Sequence, residues 1–345
     1  MNTPKAIAFR FFPLVSAILP LNLVIRITGR RTVFPFYHLV SDTNVPHIKN
    51  LYRPRNTKEF SHDLAFLLKH FQPISIDDLI RTVNTGQQSK KPQFLLSFDD
   101  GLREFHDIAA PILIKKGIPA VCFLNSAFVD NKDLFYRYKA SLLIEKLKNA
   151  PSSVRESRNM KQWFQDHQLQ QDPGFTSLLT ITYQDKHLLD ELAVILEFDF
   201  REFLDKQRPY LGSGQIESLI SQGFAFGAHS IDHPEYRFLP IEEQLRQTKD
   251  SIRDLMNEFG LKHRIFSFPF TDFGVKNTFF DSVFNESNPL ADLAFGGAGL
   301  KKDSIKRNIQ RIPFEGTELT GQQILTTEYI YYIIKSIFGK NLIRR

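Results

Sequence analysis

The 345 residues exceed one small domain and suit a single domain with an insertion, with enough chain for a sizeable core. Against 38 Asp and Glu stand 44 Lys and Arg, and the resulting +6 is too small and too spread out to mark a nucleic-acid surface; an anionic membrane or a polyanionic glycan stays open as a partner. The one cysteine, Cys122, excludes an intrachain disulfide and reads as a core residue within the apolar run Ala120 to Leu124.

At the N-terminus, Phe11 to Ile25 is largely apolar, with Lys5 and Arg10 before it and Arg26, Arg30 and Arg31 after it. Pro13, Pro20 and Asn22 interrupt the run, which is shorter than the ~20 residues a spanning helix needs. Its small-residue cleavage pattern is weak for a secretory signal. Residues 1–31 therefore read as a basic, apolar interfacial segment that lies on a membrane or packs on the globular part. An uncleaved signal anchor and a plain core helix are the competing readings, so the expected location stands between the cytoplasm and the membrane of a bacterial envelope.

From Thr32 strand and helix signals alternate. Thr32 to His38 reads as a strand ending in Tyr37-His38. Thr57 is placed to cap a helix with Phe60, Leu64, Leu67, Leu68 and Phe71 on one side; Pro73 to Ile76 reads as a short strand before a helix capped at Asp77. Gln93 to Phe98 is an apolar strand that stops in Asp99-Asp100-Gly101, followed by a helix from Glu104 to Lys116 closed by Gly117 and a strand from Ala120 to Asn125. An Asp-Gly turn explains such a stop as well as catalysis does. Such alternation predicts a parallel sheet with functional residues at the C-terminal ends of its strands.

Between about 130 and 210 the pattern changes to short amphipathic stretches, such as Leu188, Leu189, Leu192, Ile195 and Leu196, which predict a helical insertion that is either a cap over the barrel mouth or a peripheral embellishment. Leu134-Phe135-Tyr136-Arg137-Tyr138 opens it, with aromatics suited to sugar stacking or to core packing. Barrel text resumes with a helix from Gln215 to Gln222 and a strand from Phe224 that delivers His229. A long helix from Pro240 to Phe259 follows, then strands at Ile265 to Phe270, Asp292 to Phe295 and Ile309 to Pro313.

Two strand ends thus carry Asp99 and Asp100, and His229 and His233. Two carboxylates and two imidazoles are ligands that a divalent metal such as zinc takes, leaving a position for water. The four-residue spacing puts both rings on one side if the chain turns helically after the strand. Taken alone, such a histidine pair reads as surface or core.

Ser97-Phe98-Asp99-Asp100-Gly101 resembles the first motif of the polysaccharide deacetylase (NodB-homology) family of carbohydrate esterases, and His229-Ser230-Ile231-Asp232-His233 matches its second, H-[ST]-x-x-H. The resemblance runs from about Thr32 to Phe314, and implies a distorted (β/α) barrel over residues 32–345 with the insertion inside it. It implies Asp99 as general base, Asp100, His229 and His233 as ligands of a divalent metal, expected to be zinc, and an acetylated amino-sugar glycan as substrate, N-acetyl ahead of O-acetyl. Ser230 is expected to orient the ligand loop.

Two departures stand out. Where the third motif carries an arginine before its Pro-aromatic pair, this chain has Ser267 before Phe268-Pro269-Phe270; Arg311 is a candidate replacement, against a reading of it as a surface residue. Pro269 and Phe270 would still shape the pocket, with the Phe270 N–H as oxyanion donor. The late leucine-histidine that supplies the family's general acid is missing, since no histidine follows His263. That matches a branch in which an N-terminal strand ends in Tyr-His, which makes His38 the acid candidate, where it would otherwise read as structural. A related amidohydrolase acting on a non-sugar amide, and a noncatalytic glycan-binding protein, are the alternatives.

Overall fold

Alternation along short strands builds the architecture. In a computed structural model that describes residues 4–15, 19–87 and 89–345, Leu96, Phe98, Cys122, Leu124, Phe226 and Phe266 pack against helical residues such as Phe60, Leu64, Leu113 and Ile252. Their neighbours Leu95, Val121, Phe123, Ile265, Leu293 and Phe295 form a separate inner cluster with Ile74, Ile76 and Leu79. This two-sided burial makes the strands read as continuous apolar runs.

Eight parallel strands form the main sheet: β1 (Pro35–Tyr37), β2 (Leu96–Phe98), β3 (Ala120–Leu124), β4 (Ala225–Ala228), β5 (Ile265–Ser267), β6 (Leu293–Gly296), β7 (Asn308–Gln310) and β8 (Ile312–Pro313). Their spatial order is β7-β6-β5-β4-β3-β2-β1-β8. The two edge strands are successive pieces of one segment, separated by Arg311: Asn308 pairs with Ala294, and Ile312 with Pro35. The sheet therefore curls into a nearly closed (β/α) barrel whose seam is a single residue wide, as the fold reading expected. Gly227 lets β4 and β5 approach, because a Cβ there would lie 2.5 Å from Ile265 Cγ1 and 2.8 Å from its carbonyl oxygen.

Helix starts differ in detail from the sequence reading. The helix Thr57–His70 is capped by Asn56 rather than Thr57, with Glu59 closing a capping box. The helix Ile76–Thr85 is capped by Ser75 with Asp78, not by Asp77. In both the residue just upstream reaches N3, a geometry that several neighbouring polar residues could satisfy on paper. Glu104 to Lys116 splits into a π-helical turn, Phe105–Ala109, and an α-helix, Ala110–Lys116.

Between β3 and β4 the chain leaves to form the helices Tyr136–Asn149, Arg158–Asp166, His187–Ile195 and Phe200–Gln207. Leu143, Leu147, Trp163, Leu178 and Leu192 share a second core with Leu39, Val45 and Ile48 from the segment after β1. The insertion returns beside the β2 end, where Leu211 N–H donates to the Gly101 carbonyl at 2.9 Å.

The N-terminal helices Pro4–Phe11 and Leu21–Thr28 pack along the last helix, Gly321–Ile337. Leu21, Val24 and Ile25 join the main core, and Lys5 Nζ lies 2.7 Å from the buried Glu328 carboxylate. Residues 16–18 of the apolar run lie outside the described residues. Among the described residues, no helix is long and apolar enough to cross a membrane.

Candidate active site

Ser97 and Asp99 lie two apart at the end of β2, so the pleat sends both side chains to one side. Asp99 N–H donates to the Tyr37 carbonyl at 3.0 Å, which extends the strand by one residue. Asp100 then takes φ 69° and Gly101 φ 63°, left-handed values that Asp tolerates and Gly accepts freely. Through this reversal Asp100 Oδ1 lies 3.4 Å from His229 Nε2 and 3.2 Å from His233 Nε2.

The two histidines do not stand on a helical turn. After β4 the chain runs as a loop in which Ser230 and His233 have φ 70° and 64°, and the bend brings the rings to 4.8 Å between centroids. Ser230, fully buried, accepts from His233 N–H at 3.0 Å, while the Asn125 side-chain amide donates to the His229 carbonyl. These bonds hold the loop that carries both rings.

Asp100, His229 and His233 are buried, and their ligand atoms lie within 4.8 Å of one another. His229 Nδ1 is 2.9 Å from the Ser267 carbonyl, so it carries the proton and leaves the Nε2 lone pair facing Asp100. Burial pushes His229 down to about 4, which keeps the imidazole neutral, the form that ligates. Asp100 Oδ2 accepts from Tyr138 Oη at 2.6 Å, whereas Asp100 Oδ1 is buried with no hydrogen-bond partner among the described residues. An orphaned carboxylate oxygen aimed at two imidazole nitrogens fits a divalent cation, and the donor set suits zinc.

Asp99 faces Arg311. The guanidinium donates to Oδ1 at 2.8 Å and Oδ2 at 2.6 Å, and also to Ser97 Oγ at 3.0 Å and Ser267 Oγ at 2.6 Å. It lies 4.3 Å from the Phe36 ring centroid and 5.3 Å from that of Phe123. Arg311 is 2% exposed, so its reading as a surface residue is corrected: the seam between β7 and β8 turns it into the barrel. Burial pushes the Asp99 carboxyl up, but the charge and hydrogen bonds of Arg311 outweigh it and hold the group below its usual range.

His38, directly after β1, is paired through Nδ1 with Glu315, which also accepts from the His38 and Leu39 backbone N–H groups at 2.9 and 3.3 Å. Burial alone would lower the imidazole; Glu315, with smaller effects from Asp100 and Asp99, raises it to about 9.

His38, Asp99, Asp100, His233, Phe270 and Arg311 line one cavity of about 420 Å³. Leu51 and Tyr52 from the segment after β1, and Phe135, Arg137, Tyr138 and Leu179 from the insertion, complete its wall. His229 and Pro269 are buried and do not line it. Phe270, at φ 55°, meets the His233 ring edge-on with 4.7 Å between centroids, and its N–H donates to no group among the described residues.

No family model and no curated protein matches the chain. Solved structures do. The deacetylase PplD of Streptococcus pyogenes, in complex with acetate, is 13% identical, with a TM-score of 0.53 over 86% of this chain and 97% of that one. IcaB of Ammonifex degensii is 15% identical, with a TM-score of 0.52 over 86% and 97%. The fold is that of the polysaccharide deacetylases. At such identities the likeness is one of architecture, and the chemistry rests on the geometry above.

Within this deacetylase fold, three residues that touch the site had no assigned role in the sequence. Ser97 was part of a quoted motif, and its strand parity with Asp99 was the available signal. Glu315 follows β8 as an isolated acid at a strand end. Tyr138 sat in the aromatic opening of the insertion, and nothing in its spacing pointed to Asp100.

Proposed function

We propose that the chain is a metal-dependent hydrolase that removes acetyl groups from an amino-sugar glycan, N-acetyl ahead of O-acetyl. The observation that carries this reading is one cavity lined by Asp99 in the grip of Arg311, His38 paired with Glu315, and Asp100 and His233 of the ligand cluster. Asp100, His229 and His233 would hold the metal. When bound, it supplies Lewis-acid polarisation and lowers the pKa of coordinated water.

Asp99, kept ionised by Arg311, accepts the proton of the water whose oxygen attacks the acetyl carbonyl carbon. The Phe270 N–H, unengaged among the described residues, is a donor for the oxygen that gains charge. As the C–N bond breaks, His38 gives its proton to the departing nitrogen, so the products are acetate and the free amine. An amine leaves only when protonated, and an acid that stays charged at neutral pH suits that task. Glu315 and Arg311 act as positioning residues.

We also propose that the N-terminal segment rests on an anionic membrane surface, supported by its exposed apolar side chains Phe11, Leu14, Leu23 and Ile27 beside Arg10 and Arg26.

The deciding experiment measures zinc content and acetate release from N-acetylglucosamine oligomers for wild type, Asp99→Asn and His38→Ala. Expected is near-stoichiometric zinc in all three, with release at least a hundredfold lower in both variants. Loss of zinc from His38→Ala, or unchanged release from either variant, would overturn the assignment of that residue. Zinc-loaded wild type without release would overturn the substrate class.

A further inference from the structure

Asp99 is paired with Arg311 and His38 with Glu315, while Asp100 turns its free oxygen to the ligand histidines. Arg137 lines the same cavity with no carboxylate at ion-pairing distance among the described residues. It lies instead over two aromatic faces, 5.2 Å from the Tyr136 ring centroid and 5.8 Å from that of Phe270.

Its position in the helix makes the missing partner more telling. Arg137 is the second residue of Tyr136–Asn149, a helix whose N-cap, Phe135, offers no side-chain cap and whose first turn holds no acid. The positive end of the helix dipole is where a cation is least favoured and an anion most favoured. The two rings flank the guanidinium, whose N–H donors are of the kind that match a carboxylate or a phosphate oxygen pair. Leu51, Leu179 and Phe268 give the remaining wall an apolar character suited to the faces of a sugar.

The geometry points to an anion subsite at Arg137: the cavity takes an amino-sugar glycan that carries a carboxylate or phosphate group beside the acetylated residue. This rests on the deacetylase reading for the reaction and adds the charge class of its substrate. Arg137 is then a specificity-determining residue contributed by the insertion. Because Phe270 lies between Arg137 and His233, the anionic group and the reacting acetyl group are read by one continuous wall.

The test uses the zinc-loaded full chain and its Arg137→Gln and Arg137→Lys variants, with zinc content as the control for the site. Acetate release is compared between neutral N-acetylglucosamine oligomers, oligomers in which N-acetylglucosamine alternates with glucuronate, and N-acetylglucosamine 6-phosphate. For wild type, kcat/KM on one anionic class should exceed that on the neutral oligomers at least tenfold, and the ratio should shrink as salt is raised. Arg137→Gln should abolish the ratio through KM, and Arg137→Lys should restore part of it. The class that shows the advantage identifies the anion as carboxylate or phosphate. A wild-type ratio near one, or a ratio unchanged in Arg137→Gln, overturns the subsite. Should no substrate release acetate, the deacetylase reading fails and calorimetric binding of the same saccharides decides the subsite: charged-over-neutral preference lost in Arg137→Gln upholds it, and equal binding overturns it.

Discussion

Arg311 grips both oxygens of Asp99 from the single residue that separates β7 from β8, while Ser267 accepts a hydrogen bond from the same guanidinium at 2.6 Å. By the motif resemblance, an arginine is expected at position 267; the guanidinium beside the carboxylate comes instead from Arg311, at the closing seam of the barrel. A serine at 267 leaves room for it and adds one more acceptor.

Removing one partner of this pair should cost more than removing both. With both side chains about 3% exposed, Arg311→Met would leave Asp99 buried and unpaired, at a cost of about 3–5 kcal/mol. Adding Asp99→Leu should recover much of that loss, although neither protein should release acetate. Urea denaturation of the two variants decides it; equal stabilities would show that the pair is energetically idle.

His38 should set an alkaline limit on activity. Its raised value of about 9 means that the protonated form is complete at neutral pH and is lost as pH rises through 9. Any stability drawn from the pairing follows the same sign, being fully present below the unfolded value near 6.5 and gone above 9. Glu315→Gln removes the charge that raises the group, so the alkaline limb of kcat should move towards neutral pH. A pH–rate profile of the variant that keeps its limb at 9 would take the general-acid role away from His38.

Tyr138 should matter for the metal rather than for the proton transfers. Its hydroxyl donates to Asp100 Oδ2 at 2.6 Å and so orients the oxygen that faces the histidines. Tyr138→Phe is expected to weaken zinc binding by about 10–100-fold, the usual effect of losing such a supporting bond. Competition against a chromophoric chelator gives the number directly. Asp100→Asn should bind still more weakly, and chelation of the wild type should lower its Tm.

How much of this was legible in the sequence depends on how local each relationship is. Asp99, Asp100, His229 and His233 announce themselves because each pair lies at the end of an apolar strand, and strand ends converge in a parallel barrel. The (β/α) order is legible for the same reason. Arg311 was half legible: its neighbours Gln310 and Ile312 look like ordinary strand, and only ring closure reveals that the residue between them points inward. Glu315 and Tyr138 reach their partners across 277 and 38 residues, and no periodicity encodes such separations. The histidine loop was misread because i, i+4 spacing suggests a helix, while two positive-φ residues, Ser230 and His233, accomplish the same convergence.

The N-terminal segment offers the last prediction, and the structure dictates how to make it. Deleting residues 1–30 would remove Leu21, Val24 and Ile25 from the main core, so a loss of membrane binding in that protein could reflect unfolding. The exposed side chains separate the two effects: Phe11 is 56% exposed, Leu14 79%, Leu23 47% and Ile27 62%, with Arg10 and Arg26 exposed among them. Near an anionic surface each such cation contributes on the order of 1 kcal/mol, and inserted apolar side chains add to it. Replacing the four apolar residues with serine should lower partitioning onto phosphatidylglycerol vesicles at least tenfold and leave Tm within a few degrees of wild type. Raising salt should weaken binding of the wild type, since the arginine contribution is screened. Equal sedimentation of the quadruple variant and the wild type with vesicles would remove the membrane from the account and leave these helices as a brace on Gly321–Ile337.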